Sequence, residues 1–169
     1  WRRSLPASLA TGASSTMSSD LWSFALDVYA RPGVEDACLQ LQTAGANVCL
    51  LLCGLWLEQR AVTCDESRVR LLKALTAPWD IEVVQPLRTL RMQWKARAVD
   101  DAVVAGMREQ IKSLELEAER TLLSRLEGVA QEWARNDAGS VTWLEDLAGT
   151  AASLNRDALQ VLRVAATGT

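Results

Sequence analysis

The chain has 169 residues, 49% of them apolar, with 18 Lys and Arg against 21 Asp and Glu, four Cys and no His. That length suits one domain with a real core, and the near-average composition excludes collagen-like, disulfide-dense and globally disordered classes. A net charge of −3 argues against a dedicated nucleic-acid binder, and missing His removes the commonest metal ligand and the usual general base near neutral pH.

Residues 1–16, WRRSLPASLATGASST, contain no acid and no continuous apolar run, so they are not a secretory signal. Organelle transit peptides share this composition, but the preferred reading is an upstream extension or cloning remnant, with the working protein starting near Met17. Ser18 or Ser19 caps a first helix whose inner stripe is Leu21, Trp22, Ala25, Val28 and Tyr29. Arg31-Pro32-Gly33 ends it, and a second helix turns Val34, Ala37, Cys38 and Leu41 inward before Gly45. Asn47 caps the run from Val48 to Leu57, which is apolar on every side and is therefore expected at the buried centre. Ten residues interrupted by Gly54 are too few to cross a bilayer.

Thr63-x-x-Glu66 reads as a capping box for a helix with Val69, Leu72 and Leu75 inward, broken at Ala77-Pro78. Val83, Leu87, Leu90 and Trp94 then form an inner seam, with Pro86 kinking or restarting the helix. A long helix is expected from Asp101 to Arg135, with a near-heptad seam of Val104, Met107, Ile111, Leu114, Ala118, Leu122, Val129 and Trp133, and a bend or end near Gly128. Residues 136–140 read as a linker. Thr142-x-x-Glu145 is a second capping box, opening a C-terminal helix over 141–166 that docks on the domain or on a partner. The fold expected is all-α: one compact domain, 17–135, of about six to seven helices, plus that last helix, with no internal repeat.

Several segments follow one another in a recognisable order: Leu21-Trp22-x-Phe24, Tyr29, Pro32-Gly33-Val34, Cys38-Leu39-x-Leu41-Gln42 and Gly45-x-x-Val48-x-x-Leu51-Leu52. Trp56, Trp79, Pro86-Leu87-Arg88-x-x-Arg91, Lys95 and Lys112-x-x-Glu115-Leu116-Glu117-Ala118-Glu119-Arg120 continue it. Over roughly residues 20–127 this string resembles a family of small Gram-negative bacterial proteins, domain of unknown function 2390. The resemblance implies a compact helical cytoplasmic domain and supplies no activity, ligand or catalytic residue. The family pattern often has Asp and Asn where this chain has Asn47 and Cys49, so any buried polar network built on those groups is altered here.

Arg88, Arg91 and Lys95, spaced +3 and +4, share one helix face. They form a candidate site for a phosphate-bearing ligand or an acidic partner helix; the plainer reading is a solvated face or an internal salt-bridge set. Glu115 and Glu119, one turn apart, could hold a divalent cation, share a proton, or simply pair with Arg88 and Arg91 between antiparallel helices. Asp100-Asp101 could add a second acidic pair but sits at a helix start, where anions are favoured in any case. Cys38, Cys49, Cys53 and Cys64 lack the spacing of a structural zinc site and read as core thiols of a reduced, cytoplasmic protein. No catalytic residue, metal or cofactor is expected. Trp133 and Trp143 flank the linker and would form an apolar partner patch if the last helix packed loosely. The leading function is a non-catalytic module binding a protein partner through the cationic face, with no DNA partner and no transmembrane segment. The alternative is a binder or enzyme for an anionic small molecule; membrane-surface or RNA association is disfavoured by overall acidity.

Overall fold

Leu21, Trp22, Ala25, Val28 and Tyr29, the stripe read from the sequence, are all buried on α1 (Asp20–Tyr29). The computed structural model describes residues 20–136, 139 and 141–168; the 1–16 segment, Met17, the Ser18/Ser19 cap and most of the 136–140 linker lie outside the described residues. Gly33, at φ 81°, turns the chain into α2 (Val34–Thr43), which buries Val34, Ala37, Cys38 and Leu41. α3 (Val48–Gln59) follows, with the Asn47 side-chain oxygen accepting from the Leu50 amide at 3.0 Å. Every residue of α3 from Val48 to Leu57 is buried, and the helix touches α1, α2, α4 (Glu66–Trp79), α6 (Ala102–Ala130), α7 (Trp143–Ala148) and α9 (Arg156–Ala166).

The expected break at Ala77-Pro78 does not occur. α4 runs through Pro78 to Trp79, continues as a π-helical turn over Asp80–Val84, and re-forms as α5 (Gln85–Gln93). In the widened turn the Gln85 amide donates to the Asp80 carbonyl five residues back, and Pro86 lies in the first turn of α5, where its missing N–H costs least. α4 is capped by Asp65, which accepts from the Arg68 amide at 2.8 Å, and not by the Thr63 capping box expected from sequence. A 3₁₀ turn over Arg97–Val99 leads to Asp101, whose carboxylate caps α6 at the Val103 and Val104 amides.

α6 ends two residues beyond Gly128, where an end or bend was expected, and its seam keeps Ala118 and Leu122 but departs from the expected one elsewhere. Leu116, Ala118, Leu122, Leu123, Leu126 and Ala130 are buried, whereas Met107 and Leu114 are exposed. Only its C-terminal half meets the core. The N-terminal half pairs with α5 and the 3₁₀ turn, which contribute no fully buried residue, so these elements form a two-helix arm standing out from the body.

The C-terminal segment is three short helices, not one: α7, α8 (Thr150–Leu154) and α9, interrupted at Gly149 (φ 58°) and Asn155. Thr142 does not form its capping box; its hydroxyl donates to Asp146. All three helices pack into the body. Trp143 is fully buried, donates its indole N–H to the Val62 carbonyl at 2.8 Å and stacks on Trp133 with ring centroids 5.9 Å apart, so those two rings form no loose patch. Arg163 on α9 chelates Glu58 of α3 and Glu145 of α7, holding the Glu145 carboxyl below its ordinary range. No strand forms among the described residues; Val62 and Arg135 make one isolated antiparallel bridge. No described helix is long and apolar enough to cross a membrane.

Candidate functional site

The densest polar cluster lies where the arm leaves the body. Arg88 and Arg91 sit on successive turns of α5 beside the half-buried Leu87 and Leu90, and that geometry aims both guanidinium groups at α6. Glu115, with no exposed side-chain surface, accepts from Arg88 Nε at 3.2 Å and from both Nε and an Nη of Arg91. Glu119, one turn on and 1% exposed, accepts from an Arg88 Nη at 3.0 Å through Oε1. Arg108, also on α6, donates to the Arg91 backbone carbonyl at 2.9 Å and ties the arm together further out.

The two carboxylates differ in their electrostatics. Burial alone would push the Glu115 carboxyl up, but the Arg91 and Arg88 guanidinium groups outweigh it and hold it below the ordinary range. Glu119 has a single bonded oxygen, so burial dominates and pushes its carboxyl up to about 7 despite Arg88. Its Oε2 is buried and has no hydrogen-bond partner among the described residues. Glu119 also lines a recess of about 110 Å³ shared with Gln42, Asn47, Cys49, Asp80 and Arg88. Asn47 and Cys49, at the start of α3, both line this recess.

Of the three cations read as one face, Arg88 and Arg91 are thus engaged with buried carboxylates, while Lys95 is exposed and pairs with no described residue. They do not form a single cationic surface, because α5 ends at Gln93 and Lys95 falls in the turn beyond it. Glu115 and Glu119 act as ion-pair partners. Among the described residues no group of three His, Cys, Asp or Glu is arranged to hold a metal. The four cysteines are free thiols, dispersed over α2, α3 and the loop before α4; burial pushes Cys53 up to about 12, so it is no thiolate nucleophile.

Sequence reasoning missed two features. The Arg163–Glu58–Glu145 chelate joins residues 105 apart in the chain, and no local spacing signals it. The recess depends on the π turn that carries Asp80 and Gln85 against the start of α3, and the Pro78/Pro86 pair is the only sequence trace of that turn.

No curated protein and no solved structure matches this chain. The family described as "Protein of unknown function (DUF2390)" matches residues 20–126, from the start of α1 to within one turn of the end of α6. That span is more than half of the 169 residues and carries both sides of the arginine–glutamate cluster. The chain belongs to the DUF2390 family of proteins of unknown function.

Proposed function

We propose that this protein is a non-catalytic, cytoplasmic bacterial module that docks an amphipathic helix of a protein partner on the outer face of the α5–α6 arm. The observation that carries the reading is a row of exposed apolar side chains, Val103, Met107 and Leu114, on one face of α6. Their +4 and +7 spacing returns each to nearly the same azimuth and draws a stripe about 16 Å long, the contact length of a three-turn helix. Met92 and Val99, on the same arm, are exposed as well. Beside the stripe, Val104 and Ile111 of α6 and Leu87, Leu90 and Trp94 of the same arm are only half-buried, since two helices alone cannot close an apolar layer. A third helix from a partner would close it. Lys95 and Arg97, both exposed, would meet acidic residues at its rim. The four free thiols support a reducing compartment, and the net charge of −3 supports a protein partner over DNA.

The test is affinity capture from native lysate with the wild-type chain and with Val103→Asp/Met107→Asp. The expected result is one partner, retained by the wild type and lost by the double variant while its thermal unfolding stays within a few degrees of wild type. Equal capture by both chains would remove the arm from the account.

A further inference from the structure

The geometry points to a second site, on the body and independent of docking on the arm: the cleft between the turn from α1 to α2 and the helix α9 binds a medium-chain carboxylate. Pro32 and Gly33 form one wall and Val161, Val164 and Ala165 of α9 the other, around an open cleft of about 500 Å³, a size usual for small-molecule sites. The walls are preformed. Pro32 fixes its own backbone, and Gly33 lies so near α9 that a Cβ there would come within 3.4 Å of Val161 Cγ1. Val164 is 57% exposed, so apolar surface remains to be covered. From Gln160 to Ala165 the helix rises only about 7.5 Å, too little to seat a three-turn helix but enough for a single alkyl chain.

The polar lining selects the head group. Arg31 is the sole charged residue on the cleft, no acid lines it, and the guanidinium makes no ion pair with any described residue. Both Arg31 amino groups lie 3.6 Å from where a Cβ on Gly168 would stand, so the charge sits at the end of the cleft, just past the last residue of α9. The negative end of the α9 dipole offsets only about half of it. A guanidinium fork matches the two oxygens of a carboxylate, whose single charge it balances, whereas a phosphate monoester brings about −1.5 to −2. An apolar trough ending in one such fork fits an alkyl tail with a terminal carboxylate.

The probe is sodium octanoate at neutral pH, followed through the backbone amide NMR shifts of Gly33, Val161 and Ala165, with those of Val103 and Met107 on the arm as the internal reference. Saturable shifts confined to the cleft are expected, with butyrate at least about tenfold weaker for want of four methylenes. Octanol, which has the tail without the charge, and octylammonium, which reverses it, bind at least about fivefold more weakly than octanoate. Arg31→Gln lowers octanoate affinity by a similar factor, and Val164→Glu, at an exposed position, does so by repulsion and serves should Arg31→Gln fail to fold. Shifts that never saturate, equal shifts on the arm, equal affinity for octanol or octylammonium, or wild-type affinity in either folded variant would overturn the site.

Discussion

At the scale of single residues, Glu119 and Glu115 pull the pH dependence of stability in opposite directions. The Glu119 carboxyl is raised by burial from an ordinary 4.5 to about 7, so the folded chain holds a proton that the unfolded chain has released. Unfolding free energy therefore falls as pH rises from about 4.5 to about 7, by up to about 3 kcal/mol. Glu115, held low by Arg91 and Arg88, contributes stability above its unfolded value that is lost as pH drops through its lower folded value. Urea denaturation at pH 5 and pH 8 should find the wild type more stable at pH 5, and Glu119→Gln should flatten that difference. An unchanged slope in the variant would contradict the assignment. Complementary charge at helical spacing is visible in the sequence at 88, 91, 115 and 119. The depth of its burial is not, because that depends on how far α5 leans on α6 below the arm.

At the scale of elements, helix faces close to the core were the legible part. The stripes of α1 and α2 and the Asn47 cap follow from 3.6-residue periodicity and capping chemistry, both of which are local. The errors fall where a tertiary contact outweighs a local signal. Pro78 reads as a break, yet α4 runs through it to Trp79; Met107 and Leu114 read as seam, yet the core ends before them. Thr63 and Thr142 match capping boxes, but Asp65 takes the first cap and Asp146 the second hydroxyl. Gly54 illustrates the tightest approach between elements: a Cβ there would lie 2.7 Å from Leu147 Cδ1 and 3.4 Å from Trp143 Cβ. Gly54→Leu should force α7 off α3 and lower stability by at least about 1–3 kcal/mol, read from urea unfolding. A neutral result would mean that α7 is not seated against Gly54.

At the scale of the molecule, the family match ends near the end of α6, but the core does not. Trp143, Leu144, Leu147, Leu159 and Leu162 cover α3, and Arg163 fastens them to Glu58. Removing residues after 135 would expose the apolar flank of α3 and leave Glu58, 8% exposed, without its cation. A chain ending at Arg135 should lose its cooperative thermal transition and aggregate, whereas Val103→Asp/Met107→Asp, confined to the arm, should unfold near the wild-type temperature. A truncated chain that melts like the whole would mean that the last three helices are an appendage. The seam between this segment and the rest was hidden from sequence reasoning because its contacts span 81 to 105 residues.

The account turns on whether Arg88 and Arg91 fasten the arm internally or stand free to bind anions. A double-mutant cycle of Arg88→Met and Glu119→Gln, measured by urea unfolding at pH 8, decides this most directly. Arg88→Met alone should cost about 3–5 kcal/mol by leaving the buried Glu119 without its cation while Glu115 keeps Arg91, and the coupling to Glu119 should reach about 1–3 kcal/mol. Effects that add to within about 0.5 kcal/mol would contradict the clamp between Arg88 and Glu119 and return Arg88 to the surface as a free cation.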